Sequence, residues 1–229
     1  MRRVEVLAKR PLAARRAEGS VGLMGRRPGN LPLTRRVCSN PDQLTRLYRM
    51  ALKEHTVMSK TETARNGVDL ETVGALAERI QADPAAAATV WQAEVTWQGA
   101  FRSEARIRDF APLPSDEPAG LGGSDTAPNP VEQLLAAFGN CLAVGYAANA
   151  SAAGITIESL RIALKGDLDL RTFLGLAQDN AGYEAIEVSV DLRCDATEDQ
   201  LAALHDKVVG TSPVGHTLSR VVPLRVDLA

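Results

Sequence analysis

The chain has 229 residues, of which 45% are hydrophobic, 24% charged and only 4% aromatic, enough for one good-sized domain with a largely aliphatic core. Its net charge of −2 is unevenly spread, because ten basic residues against Glu5 and Glu18 give residues 1–36 a net +8 and leave the remainder at −10. An acidic body excludes non-specific nucleic-acid binding, and no uninterrupted apolar run approaches the roughly 18–20 residues of a membrane span, so neither nucleic acid nor membrane is an expected partner.

Residues 1–57 read as a basic extension, expected to be disordered, with Pro11, Pro28 and Pro32 and no apolar core of a secretory signal. Three readings stay open for it: an organellar transit peptide, a disordered arm, or an upstream extension of little functional weight. The last is raised by Met58, which opens the polar segment Ser59–Thr63 and resembles a natural chain start. Leu44, Leu47, Tyr48, Ala51 and Leu52 stand at helical spacing within it. Residues 58–88 form a second segment, whose Leu70, Val73, Leu76 and Ile80 predict an amphipathic helix ending before Asp83–Pro84.

Residues 89–229 are expected to form the main domain. Trp91, Ala93, Val95 and Trp97 alternate with polar residues up to Gly99, and Phe101, Ser103, Ala105 and Ile107 continue beyond it, predicting a β-hairpin with one wet face. Residues 111–130 read as a long Pro- and Gly-rich loop, a length that is uncommon unless the loop has a task. Asn129, Pro130 and Glu132 then mark the start of a helix with capping-box spacing, running toward Gly154. Leu160, Ile162 and Leu164 predict one strand, and Ile186 to Cys194 another, with residues 166–182 connecting them. Thr197 with Gln200 opens a further helix, with Leu201, Leu204 and Val208 on its apolar face and its end at Gly210. Ser212–Pro213 opens a short turn or helix, and Leu224, Val226 and Leu228 predict a final strand. Hairpins interleaved with helices indicate an α+β domain, helices packed on antiparallel sheet.

The three cysteines, Cys38, Cys141 and Cys194, make no disulfide framework and suit a reducing cytosol. With His55, His205 and His216 they show no zinc spacing, and no metal or cofactor is expected. Cys141 lies mid-helix on the face of Leu134 and Phe138, either as a small core hydrophobe or as a nucleophile in a dry pocket. Mid-helix it gains little from the helix dipole, so a thiolate there needs a cation. Arg102, Arg106 and Arg108 are candidates, although each taken alone reads first as part of a solvated strand face. Glu132 reads first as the capping carboxylate. Nine residues from Cys141 is about 900° of helical rotation, half a turn out of phase, so helix geometry alone does not pair the two. Cys194 falls on the apolar side of its strand as a structural residue, His205 on the polar side of its helix, and His216 in a surface turn.

Together these segments resemble the OsmC/Ohr family, the osmotically induced protein C and organic hydroperoxide resistance proteins. The matching pieces are Trp97–Gly99, Asp116–Pro118 followed by Gly122–Gly123, Pro128–Ala137 leading to Cys141, Gly154–Ile155, Gly166–Asp169, and Ser212–Val214 before Leu218. They fall in order across residues 90–228. The resemblance implies an OsmC-like α+β fold, with antiparallel sheets wrapped around long central helices in an intertwined homodimer and with sites at the interface. It also implies a cytoplasmic stress-defence protein acting on a small organic hydroperoxide, reduced by an external thiol. Cys141 matches the peroxidatic cysteine and Glu132 the helix glutamate that salt-bridges an activating arginine, for which Arg102 is the first candidate. Phe138 and Leu142 would shape an alkyl pocket.

One position departs from the pattern. Where active members of the family usually carry a second, resolving cysteine, this chain has Ser212. Serine cannot close a disulfide, so Cys141 would work alone with an external thiol, or with Cys194 in the missing role. The alternative is a catalytically silent dimer that binds a small apolar ligand or acts as an interaction protein.

Overall fold

The computed structural model describes residues 64–228 together with the short strand Glu5–Leu7. The helical spacing of Leu44 to Leu52, and Cys38, lie outside the described residues. The first helix, α1, spans Leu70–Ala82, close to its expected bounds. Asp69 caps it by accepting from the Thr72 N–H at 3.0 Å and the Thr72 hydroxyl at 2.6 Å, bonds that hold its carboxyl below the usual aspartate range. A turn before α1 is clamped to the rest of the domain by Asn66, in left-handed backbone at φ 53°. Its amide nitrogen donates to Ser151 Oγ at 3.0 Å and Ile155 O at 2.9 Å, while its oxygen accepts from Ile157 N at 2.8 Å.

Two three-stranded antiparallel sheets follow. Strands β2 (Glu94–Gly99), β3 (Arg102–Arg106) and β4 (Leu113–Ser115) lie in that order. The β2–β3 turn carries Gly99 at φ 98° and Ala100 at φ 51°, and Trp97 Nε1 donates across it to Ala100 O at 2.8 Å. Strand β4 falls inside the stretch expected to be loop. Pro114 hides it in the sequence, yet an edge strand tolerates proline because one row of its backbone groups has no ladder partner. The expected wet face of the hairpin is exposed, and so is the apolar one, with Trp97 at 72% accessibility.

The segment after β4 is organised by Asp116, whose side chain is buried. It accepts from the N–H groups of Glu117, Ser124 and Thr126 and from the Thr126 hydroxyl at 2.8 Å. These bonds, the hydroxyl foremost, hold its carboxyl below the ordinary aspartate range. A Cβ at Gly123 would sit 1.8 Å from Glu117 O, so only glycine fits the closed loop.

The loop delivers the chain to α2, Pro130–Ala152, about 35 Å long at 1.5 Å per residue. Its capping box is complete: Glu132 N–H donates to Asn129 Oδ1 and Asn129 N–H to Glu132 Oε2, both at 2.9 Å. By length and mean hydropathy α2 is apolar enough to cross a membrane, because its polar residues are spaced rather than absent. In the fold it is the central core helix, with Leu142, Tyr146 and Ala150 buried.

The second sheet has the order β1–β6–β5, with β1 at Glu5–Leu7, β5 at Ile157–Leu168 and β6 at Tyr183–Cys194. Both long strands exceed their expected bounds. Gly166, Asp167 and Leu168 pair with Ile186, Ala185 and Tyr183 rather than opening the connection. A single-turn helix α3, Leu170–Phe173, lies between them. Helix α4, Glu198–Thr211, opens with the Thr197–Gln200 capping box and runs through Gly210 instead of ending there. The short helix α5, Pro213–Leu218, follows at once.

The core lies between α2, the β5–β6 face and α4, where Val190, Leu192, Leu204 and Val208 meet Leu142 and Tyr146. Burial of such side chains stabilises by about 1.5–3 kcal/mol each. Two glycines of α2 permit the approach: a Cβ at Gly139 would lie 2.7 Å from Leu164 Cδ1, and one at Gly145 2.9 Å from Val208 Cγ1. His205 differs from expectation. It is half-buried and hydrogen-bonded to the hydroxyl of Tyr146, whose burial pushes its phenol up to about 12. The expected final strand is absent. Residues 221–228 have no regular structure and Val226 is 93% exposed, because apolar alternation alone cannot make a strand without an edge to pair with.

Two outcomes follow from these clamps. Asn66→Ala removes three hydrogen bonds at one half-buried side chain and is expected to lower stability by about 1–3 kcal/mol, read as a lower urea midpoint with unchanged slope. Asp116 contributes stability in full above its unfolded value of about 3.9, and that contribution is lost as pH falls through its lower native value. Asp116→Ala should therefore speed amide exchange at Ser124 and Thr126 at neutral pH, while the wild type reaches the same loss only below about pH 4.

Candidate functional site

Cys141 sits halfway along α2, half-buried, with its thiol reduced. The chain that leaves α4 crosses the same level of α2, and there Ser212 Oγ stands 3.3 Å from Cys141 Sγ, a hydrogen bond for sulfur. Ser212 is 4% exposed. It caps α5, accepting from Gly215 N–H at 3.1 Å. The turn is tight: a Cβ at Gly215 would lie 3.1 Å from both Phe138 Cε2 and Ser212 Oγ. His216, expected at the surface, is half-buried and hydrogen-bonds through Nε2 to Gly210 O at 2.9 Å, tying α5 to the end of α4. The structure thus brings Cys141, Ser212 and Phe138 to one place from positions 71 and 74 residues apart in sequence.

The other candidates lie elsewhere. Leu142, next to the thiol in sequence, is 3% exposed and belongs to the core. Glu132 is exposed at the start of α2, where its carboxylate is engaged in the cap. Its charge and, more strongly, burial raise the Tyr183 phenol, whose hydroxyl donates to Val131 O at 2.9 Å. Arg102 is exposed on β3, where its backbone pairs with Gly99, and among the described residues its guanidinium has no hydrogen bond or ion pair. It borders an open groove of about 340 Å³ with Ser103, Glu104, Ser115 and Thr126. Arg106 is paired to Glu104 at 3.2 Å, and Arg108 lies over the Phe110 ring at 4.5 Å.

Cys194 pairs with Ile157 at the end of β6, beside the C-terminal end of α2. From the level of Cys141 that is roughly 15 Å along the helix axis, well beyond the 4.4–6.8 Å Cα separation of a disulfide. Among the described residues no three His, Cys, Asp or Glu side chains converge as a metal site would require.

The resemblance alone set Ser212 opposite Cys141, at the place of a resolving cysteine; no local pattern in either segment signals their contact, which the structure shows at 3.3 Å. The Tyr146–His205 pair was also missed, since helical periodicity put His205 on the polar face without locating the helix that α4 packs on.

Comparison with known proteins bears on residues 122–227, which match the family described as OsmC-like protein. No curated protein matches the chain in sequence. Among solved structures, an OsmC-like protein from Mycoplasma pneumoniae is similar at 19% identity with a TM-score of 0.50, covering 58% of this chain and 89% of its own. An organic hydroperoxide resistance protein OsmC from Legionella pneumophila has 18% identity and a TM-score of 0.42, covering 57% and 91%. One from Elizabethkingia anophelis has 18% identity and a TM-score of 0.43, covering 56% and 88%. At such identities the first of these likenesses speaks to fold alone. With the matched segment, the antiparallel sheets and the long central helix in place, the chain has an OsmC-like fold, and its residues 122–227 match the OsmC-like family.

Proposed function

We propose that this chain reduces organic hydroperoxides in cytoplasmic stress defence, with Cys141 as its single peroxidatic cysteine. The observation that carries the reading is the half-buried thiol of Cys141 on the central helix of an OsmC-like domain, facing a buried hydroxyl at 3.3 Å. In the proposed step the Cys141 thiolate attacks one peroxide oxygen. The S–O bond forms as the O–O bond breaks, the alkoxide takes a proton and leaves as an alcohol, and sulfur is oxidised by two electrons to a sulfenic acid. With serine at position 212, an external thiol completes the cycle. It attacks the sulfenic acid, releasing water and forming a mixed disulfide, and a second thiol frees Cys141 and departs as the external disulfide.

The charged roles need a second copy of the chain. Arg102 would be the cation that favours the thiolate and Glu132 the carboxylate that orients it; within the chain Phe138 would be the apolar wall beside the alkyl group, with Leu142 behind it in the core. A homodimer is supported by the apolar surface a single chain leaves uncovered: Val95 and Trp97 on β2, Phe101 in the turn after it, Val144 on α2, and Leu224 and Val226 near the C-terminus. Domain organisation is proposed as a basic extension at 1–57, a helical segment at 58–88 and the OsmC-like domain at 89–229. Ser212 favours a second reading, a catalytically silent dimer that binds a small apolar ligand or acts through interactions, because no disulfide can form there.

The two readings separate in one assay. Consumption of an alkyl hydroperoxide is followed for wild type and Cys141→Ser, first with a monothiol and then with a dithiol. The peroxidase reading expects turnover with the monothiol and its loss in the variant; equal rates would sink it. Sedimentation equilibrium is expected to give twice the chain mass, and a monomer at micromolar concentration would remove the proposed roles of Arg102 and Glu132.

A further inference from the structure

We propose that Ser212 is a positioning residue that favours the thiolate of Cys141 by donating its hydroxyl proton to the sulfur. A serine hydroxyl has one proton to give and two lone pairs to receive. One lone pair is committed to Gly215 N–H, the α5 cap. Among the described residues the only other hydrogen-bond neighbour of the hydroxyl is Cys141 Sγ. The side chain is held in that orientation by burial, by the cap, and by the tight Gly215 turn against Phe138.

The two protonation states of Cys141 use this neighbour unequally. A neutral thiol is a weak donor and a weak acceptor, so S–H against Oγ contributes little. A thiolate accepts a charge-assisted O–H bond, among the stronger kinds. The difference lowers the free energy of the anion relative to the thiol. This contribution arises within one chain and does not depend on Arg102, while the helix dipole adds little at mid-helix. In the cycle proposed above, Ser212 therefore does not resolve the oxidised sulfur. It prepares the reduced one.

The inference rests on Cys141 as the attacking atom, but its test needs no peroxide. Iodoacetamide alkylation of the full chain is followed peptide by peptide across pH, with the Cys194 peptide as internal reference. Ser212→Ala is expected to raise the pH midpoint of Cys141 alkylation by about one unit, the size of a modest charge-assisted bond. Ser212→Thr, which keeps the hydroxyl, is expected to restore it, and the Cys194 profile should not move. An unchanged midpoint in a folded Ser212→Ala, or no restoration by a folded Ser212→Thr, overturns the proposal. Should loss of the cap unfold the alanine variant, Ser212→Gly removes the hydroxyl at a position where glycine caps acceptably, and the same shift is required of it. Equal peroxide consumption by wild type and Cys141→Ser would instead defeat the peroxidase reading and leave the alkylation result standing.

Discussion

The close seat of the central helix is the constraint on which the rest of this domain depends. α2 has to meet the β5–β6 face on one side and α4 on another, and Gly139 and Gly145 are the residues at those two approaches. With side chains there, Leu164 and Val208 would have to give way, and the layers would separate by an amount that close-packed interiors do not absorb cheaply. The seat of α4 in turn determines where its C-terminal end releases the chain, and so where Ser212 arrives. The contact between Cys141 and Ser212 is thus a consequence of helix packing several residues away from either.

A second chain of dependence reaches α2 from its start. Asp116 closes the loop, Glu117 accepts from the Asn129 amide at 3.2 Å, and Asn129 caps the helix with Glu132. Gln133 ties the same turn to Pro114 O and Pro128 O. The loop length that stood out in the sequence is spent on this relay of hydrogen bonds, which connects the outer sheet to the helix that carries the thiol. Glu132 is part of the relay, and any role toward an arginine in the proposed dimer has to be compatible with it.

Elements with local signals were legible from residues alone. Capping boxes at Asn129 and Thr197 marked two helix starts because the bonds involved span three residues. Alternation marked β2, β3, β5 and β6 for the same reason of short range. Where the deciding partner is distant, local pattern carries no sign of it. Gly166 to Leu168 joined β5 because β6 lay opposite, Pro114 entered a strand because that strand was an edge, and residues 221–228 stayed irregular because no edge met them. His205 was misplaced because a polar helix face becomes partly buried once Tyr146 packs beneath it.

The sequence by itself determined the α+β class, the helix that carries Cys141, and the serine at position 212, since each is written in local pattern and residue identity. Only the tertiary structure decided that the Ser212 hydroxyl hydrogen-bonds Cys141 Sγ, that Cys194 lies too far along α2 to replace it, and that Arg102 borders a groove with Ser115 and Thr126. Those are distances between segments far apart in sequence, set by packing of whole helices and sheets, and no short stretch of residues encodes them.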